Sequence, residues 1–218
     1  LLYQSLFTID SSYRVEPQLC QSFTVSEDLT TYIFTLAQAT YADGTALTAQ
    51  DVVQSLKQAK ATDYYEGRFR YIKSISEAEG NRVKIVTEIP MEQLPLLLDI
   101  PIVKYGQSDA QTPQGTGPYV LEDTPEGMEL VRRDNWWAAA QVPLNVQRIS
   151  LMVGQNPTQI RDEFEFGDVG ISTADPGSAS YADYRCDYEL WDAETGIFLY
   201  LGCNINSKVF SQNQVRVA

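Results

Sequence analysis

The sequence predicts an α/β fold of the mixed α+β type, with short strands, turns and a few helices. The first observation is a set of β-branched and aromatic runs bounded by turn residues, of which residues 31–36 are typical. The second is the helical spacing of Val52, Val53, Leu56 and Ala59. With 218 residues, the chain is long enough for one large or two small domains with an ample core.

A turn and hairpin near the middle of the chain are its most specific local feature. Glycine permits positive φ, and proline fixes its own φ and favours extended geometry in the residue before it. A Gly-Thr-Gly-Pro turn therefore leads into a strand at 119–121, and a Pro-Glu-Gly loop leads into a second strand at 128–132. The hairpin ends on paired indoles, each of which needs a partner for its N–H. The residues of this structural motif are Gly115, Gly117, Pro118, Tyr119, Trp136 and Trp137.

Upstream, a turn and a capped helix form a second structural motif. Asp43 and Gly44 are a strong turn signal. Thr48 is placed to cap the helix that follows, because its hydroxyl accepts a hydrogen bond from a backbone N–H of the first turn. Asp51, three residues on, takes the place of the usual Glu in a capping box. We interpret all four residues as structural.

The remaining elements follow from the same kinds of signal. Residues 13–29 are polar, contain Pro17 and are predicted to form a loop. Residues 197–201 are apolar on both faces, which is typical of a central strand. Further strands are predicted at 72–75, 82–89 and 148–153, and helices at 92–98 and from Asn156 to Gly167.

Composition excludes several classes of function. The net charge is −13, from 16 basic and 29 acidic residues, which argues against binding to nucleic acid or to an anionic membrane surface. No apolar run approaches the length of a membrane span. Histidine is absent, which excludes a Ser-His-Asp or Cys-His hydrolase within this chain and deprives a zinc site of its usual ligands. We therefore expect no metal site and no cofactor.

The three cysteines are widely spaced and contain no CxxC pair. Buried free thiols that pack as small hydrophobic groups are one interpretation of Cys20, Cys186 and Cys203. A disulfide between Cys186 and Cys203 is the other, and the sequence leaves both open.

The order of the motifs resembles the family 5 extracellular solute-binding proteins, the oligopeptide-, dipeptide- and nickel-type receptors of ABC importers. The resemblance covers nearly the whole chain. The segments that carry it are Tyr41 to Val53, Gly115 to Tyr119, Glu165 to Val169, Asn204 to Asn206, and Val215-Arg216.

The resemblance implies a periplasmic-binding-protein-like class II lobe with a small inserted accessory α+β lobe. Residues 1–30 and 106–218 would form the main ligand-binding lobe (lobe I), and residues 31–105 the accessory lobe (lobe II). It also implies a core strand at 169–171, after the helix that ends at Gly167. The chain would be a fragment that lacks a later lobe and the C-terminal return to the first.

For the site, the resemblance places residues 1–10 at a ligand cleft. Tyr3, Gln4 and Ser5 would form its exposed edge, with a plain buried strand as the alternative. Phe198 and Tyr200 share one face of a strand that borders the cleft in oligopeptide receptors. One of them would line the cleft, and packing of both in the core is the alternative.

The implied function is an extracytoplasmic receptor rather than an enzyme. It would capture a peptide between lobes and deliver it to an ABC permease, with a membrane attachment only through a lipid anchor outside this chain. A sugar or a metal chelate is an alternative solute. Two other classes remain open: a structural or adhesive surface module, and an acid hydrolase built on the carboxylates Asp162, Glu163, Glu165 and Asp168.

Overall fold

The structure is a computed structural model that describes residues 1–125, 127–154, 156–173 and 184–190. The chain divides into two compact units, Leu1–Asp187 and Tyr188–Ala218. Only residues 188–190 of the second unit are described. The predicted strand at 197–201, with Phe198 and Tyr200, and the third cysteine, Cys203, lie outside the described residues.

Short strands and a few helices alternate along the first unit, as the sequence predicts. The strands are β1 (Phe7–Ile9), β2 (Val15–Pro17), β3 (Cys20–Val25), β4 (Thr31–Leu36), β5 (Ile72–Ala78), β6 (Arg82–Thr87), β7 (Tyr119–Thr124), β8 (Gly127–Arg132) and β9 (Arg148–Leu151). The helices are α1 (Ala49–Lys60), α2 (Glu66–Phe69) and α3 (Pro157–Glu165), with a 3₁₀ helix at Leu94–Leu97. Among the described residues, no helix is long and apolar enough to cross a bilayer.

The largest sheet is antiparallel and has the strand order β3-β4-β6-β5. Its two central strands alternate between half-buried and buried positions, and their inward residues form the core with helix α1, which packs on β5 and β6. Phe34, fully buried in β4, lies opposite Val83 of β6 and Phe23 of β3. The predicted strands at 31–36, 72–75 and 82–89 are therefore confirmed.

The second prediction confirmed in detail is the capped helix. The Asp51 carboxylate accepts a hydrogen bond from the Thr48 amide at 2.7 Å, while the Thr48 hydroxyl accepts one from the Asp51 amide at 3.4 Å. The other oxygen of Asp51 accepts from the amide of Tyr105 at 2.6 Å. The buried carboxylate thus closes the start of α1 and also fastens a distant loop to it.

The hairpin is confirmed as well. Strands β7 and β8 pair antiparallel from Tyr119 opposite Arg132 to Thr124 opposite Gly127. Strand β9 adds to the far side of β8 to complete a three-stranded sheet. The hydroxyl of Tyr119 donates to the carbonyl of Val146 at 2.8 Å, which ties the start of the hairpin to the segment before β9.

The predicted loop at 13–29 is wrong, because β2 and β3 lie within it. Strand β3 is an edge strand, and every residue after Cys20 is exposed. An edge strand with a solvated surface does not need alternating apolar residues. Strand β3 therefore lacks the alternating pattern from which a strand is predicted.

The core strand implied at 169–171 is also wrong. Helix α3 begins where predicted, with the Asn156 side chain accepting from the Gln159 amide at 2.9 Å. At the other end of the helix, the amide of Val169 donates to the Glu163 carbonyl at 3.1 Å. Val169 is therefore part of the turn that follows the helix rather than of a strand. Ile171 is 89% exposed, which no core strand position allows.

The division into two lobes stays a prediction. Strands β3 and β4 are hydrogen-bonded neighbours of one sheet, and the predicted boundary between residues 30 and 31 falls between them. A boundary before β3 keeps that sheet within a single lobe.

We expect Thr48→Ala to lower the free energy of unfolding by about 1 kcal/mol, the usual cost of losing an N-cap hydroxyl. The cap hydroxyl bonds both the amide and the carboxylate of Asp51, so its loss leaves one amide of α1 unpaired. Urea unfolding followed by circular dichroism measures the change. Thr48→Ser retains the hydroxyl and should stay within a few tenths of a kcal/mol of the wild type; equal losses in the two variants would contradict the cap.

Asp43 should make stability fall on acidification. Hydrogen bonds from Lys104 and then Thr45 lower the pKa of its carboxyl from 3.8 to about 2. Because the folded-state pKa is the lower one, the stabilisation is complete above the unfolded pKa and is lost as the pH falls towards about 2.

Lys104→Met removes the largest cause of that shift, so urea unfolding should depend less steeply on pH below about 4 than it does in the wild type. Lys57→Met removes the same charge from an exposed position of α1 and should keep the wild-type dependence. If the pH dependence of stability is the same in Lys104→Met, Lys57→Met and the wild type, Lys104 does not lower the pKa of Asp43.

Candidate ligand-binding surface

The first residues of the chain are held between two segments that lie more than 95 positions further along. On one side, Gly117 donates its amide to the Leu2 carbonyl at 3.0 Å. On the other, Ile102 donates its amide to the Gln4 carbonyl at 2.9 Å. Leu19 also donates to the Ser5 carbonyl at 3.0 Å. These bonds fix the backbone of residues 1–5, the segment that the sequence places at a ligand cleft.

The glycines of the central turn are required for space. A Cβ on Gly115 would overlap the carbonyl oxygen of Leu2 and lie 2.6 Å from the ring of Tyr3. A Cβ on Gly117 would overlap the carbonyl oxygen of Leu1. Neither glycine has a positive φ, which is the reason that the sequence suggests for them. Both must be glycine because the N-terminal backbone lies too close to leave room for a side chain.

Arg133 connects this turn to the second structural motif, the turn and capped helix that begin at Asp43. Its guanidinium donates to the Gly117 carbonyl at 3.0 Å, to the Tyr41 carbonyl at 2.6 Å and to the Thr40 carbonyl at 3.2 Å. The residue is buried, and burial lowers the pKa of its guanidinium, which the Asp43 charge partly offsets. Sequence analysis missed Arg133, because nothing local separates it from its neighbour Arg132.

Each indole of the tryptophan pair finds a hydrogen-bond acceptor, as expected. Trp136 is buried and donates to the Thr116 carbonyl at 2.9 Å. Trp137 is half-buried and donates to the side-chain oxygen Oε1 of Gln4, also at 2.9 Å. The two rings meet edge to face, with centroids 6.2 Å apart. The pair therefore fixes both the turn and the N-terminal segment.

The three N-terminal site candidates, Tyr3, Gln4 and Ser5, differ in whether their polar groups are hydrogen-bonded within the protein. Tyr3 is half-buried, and burial raises the pKa of its phenol, whose hydroxyl has no partner among the described residues. Ser5 is occupied, since its amide donates to the Gln18 side chain at 2.8 Å and its hydroxyl to the Phe7 carbonyl. Gln4 is only 7% exposed, so its predicted place on the exposed edge is wrong: the segment packs this side chain against Trp137.

The acidic run at 162–168 lies on and just after helix α3, none of whose described residues is buried. Asp162 faces Arg161 at 3.5 Å, and Glu165 accepts from the amide of Arg185 at 3.0 Å. Within the described part of the chain, no cluster of three Asp, Glu or Cys residues is arranged to hold a metal ion.

An open, mostly apolar groove of about 500 Å³ is lined by a different set of residues. Strands β1 to β3 form one side, with Phe7 and Phe23, and the 3₁₀ helix forms the other, with Pro95 and Leu96. The thiol of Cys20 lies in its wall, and burial raises the pKa of that thiol to about 11. Cys20 and Cys186 are both free thiols.

Comparison with known proteins identifies the family. The family described as bacterial extracellular solute-binding proteins, family 5, middle region, matches residues 14–218. The chain therefore belongs to the family 5 extracellular solute-binding proteins, as the order of its motifs predicts.

Among curated proteins, the glutathione-binding protein GsiB of Salmonella typhi is 33% identical over 133 residues, which cover 55% of this chain and 26% of that protein. The GsiB protein of Escherichia coli (strain K12) is 31% identical over the same shares. The chain thus spans about a quarter of the length of the curated relatives it matches.

Solved structures establish the fold. NikZ from Campylobacter jejuni, in complex with Ni(L-His), matches with a TM-score of 0.64 at 22% identity, over 78% of this chain and 37% of that chain. A mannohexaose-bound periplasmic oligopeptide-binding protein from Thermotoga maritima matches with a TM-score of 0.60 at 23% identity, over 78% and 35%. The predicted periplasmic-binding-protein-like fold of mixed α and β elements is confirmed.

Gly117→Ala should lower the free energy of unfolding by about 1–3 kcal/mol, because the new methyl group meets backbone that has no room to move. Thermal or urea unfolding measures it. Gly67→Ala is the matched control: this helical glycine faces open space, so alanine there should be neutral or stabilise by up to about 1 kcal/mol. Equal stability of the two variants would show that the N-terminal backbone does not constrain the turn.

Proposed function

We propose that this chain is part of an extracytoplasmic receptor of an ABC importer, in which residues 1–5 form one edge of the solute cleft. Family membership supports the receptor class. The position of the cleft edge is inferred from the N-terminal segment, residues 1–5. Its backbone is fixed on both sides, yet the Tyr3 hydroxyl has no protein partner among the described residues. A rigid backbone that presents an unengaged polar group is what a binding edge requires.

The solute class that we propose is a short peptide. The curated relatives reported above are named for binding glutathione, which is itself a tripeptide, and a structural neighbour is named for oligopeptides. Another neighbour holds a nickel–histidine complex, and the neighbour named for oligopeptides itself holds mannohexaose, so a metal chelate and a sugar remain the alternative solutes. The family consists of binding proteins, and we propose no catalytic role for the carboxylates at 162–168.

In this proposal the receptor works by closure. A solute that binds the closed arrangement of two lobes better than the open one shifts the equilibrium towards closure, and the closed form is the one that the permease receives. The fixed N-terminal segment would be a rigid wall of the cleft. Phe198 or Tyr200 is kept as a candidate contact for the solute, and the protein would reach the membrane only through a lipid anchor and its permease partner.

The test is a thermal-shift and calorimetric titration of the full-length native protein with reduced glutathione, trialanine, mannohexaose and the nickel–L-histidine complex. We expect a peptide to raise the melting temperature, since ligand at 100 times its Kd adds about 2.7 kcal/mol to the stability of the folded state. A response to mannohexaose or the nickel complex alone would replace the peptide by that solute. No response to any probe would contradict the receptor function for all these classes.

A further inference from the structure

The hydrogen bond between Trp137 and Gln4 determines which end of the Gln4 amide faces the protein. An indole N–H is only a donor, so its partner at 2.9 Å must be the amide oxygen Oε1. The NH₂ group, Nε2, is thereby directed away from the indole. The oxygen of a primary amide accepts hydrogen bonds and its NH₂ group donates them. Because the indole takes the oxygen, the group that Gln4 offers to other partners is a donor.

Nε2 makes no hydrogen bond within the part of the chain that the structure describes. No acceptor for it exists among the described residues, and it is not one of the enclosed polar atoms without a partner. It therefore reaches solvent, although Gln4 as a whole is only 7% exposed. The rest of the residue is fixed, because its own carbonyl accepts from the Ile102 amide at 2.9 Å.

We propose that Gln4 is a specificity-determining residue of the cleft: Trp137 orients its amide so that Nε2 donates a hydrogen bond to an oxygen acceptor of the solute, a carbonyl or a carboxylate. This inference rests on the proposed function and names the chemistry that residues 1–5 recognise. An oriented donor loses little freedom on binding, and a solute that lacks the acceptor leaves that donor buried and unpaired. A neutral NH₂ group can donate to a peptide carbonyl and to a carboxylate alike.

Gln4→Glu is the decisive variant because it is isosteric. A carboxylate still accepts from the Trp137 indole, so the fold should be kept, but an ionised group at this 7% exposed position costs desolvation and should lower the melting temperature at neutral pH. The atom that replaces Nε2 is then an acceptor that repels the solute oxygen. At neutral pH we expect the Kd of the full-length native protein for trialanine to rise about tenfold or more.

Acidification gives a second readout, which is compared with the melting temperature of the variant at the same pH. Protonation turns the introduced carboxyl group into a donor at the same position, so the variant should regain affinity as the pH is lowered, relative to the wild type at each pH. Trialanine and its C-terminal amide distinguish the two sources of the acceptor. If the solute oxygen is a backbone carbonyl, Gln4→Glu weakens both probes equally; if it is the terminal carboxylate, the penalty is larger for trialanine.

Two control variants isolate the mechanism. Gln141→Glu adds the same charge at an exposed position four residues after Trp137 and should leave the Kd unchanged. Trp137→Phe removes the indole N–H, so the amide of Gln4 is free to turn. In that background Gln4→Glu should cost less than it does in the wild type, and a double-mutant cycle measures this coupling.

The outcomes separate this inference from the proposed function. If the native protein binds trialanine and Gln4→Glu binds it equally well, the receptor stands and the role of Gln4 is overturned. A loss of affinity that comes with a lower melting temperature and does not recover on acidification also overturns it, because Gln4 would then be structural. If the native protein binds neither peptide probe, both the peptide assignment and this inference fall.

Discussion

The close approach of the N-terminal backbone to the central turn is the constraint on which the rest of the structure depends. The carbonyls of Leu1 and Leu2 occupy the space where Gly115 and Gly117 would carry side chains, and the latter carbonyl accepts the Gly117 amide. Chain segments more than 110 residues apart are thereby joined through backbone alone. Because the contact involves no side chain of the turn, its specificity comes from the absence of Cβ atoms.

Arg133 transmits that constraint to the capped helix. One guanidinium bonds the carbonyl of Gly117 in the turn and that of Tyr41 beside the second structural motif. A buried cation is costly unless its donors are satisfied, and backbone carbonyls satisfy most of them here. From Tyr41 the connection continues through the Lys104–Asp43 ion pair, where Asp43 belongs to the turn before α1. The two motifs that identify the family in the sequence are thus one physical unit.

This arrangement explains what the sequence predicts and what it does not. The cap at Thr48 and the hairpin depend on residues within a few positions of each other, so local chemistry is enough to predict them. The role of Arg133 depends on a carbonyl 93 residues away. Strand β3 is concealed by its solvated edge, and the burial of Gln4 depends on Trp137, which no periodicity connects to it. Contacts that close long loops leave no local pattern.

The candidate surface is neutral although the chain carries a net charge of −13. Its components are a phenol, an amide and the half-buried indole of Trp137, and the serine that completes the segment is bonded internally. A surface of this kind discriminates through the direction of its hydrogen bonds and the fit of its aromatic faces, because it has no charge of its own to attract a solute. The negative field of the surrounding protein acts at longer range and is screened by salt. The direct hydrogen bonds at residues 1–5 should therefore depend little on ionic strength, and a salt dependence in the binding of a charged solute comes from the surrounding field.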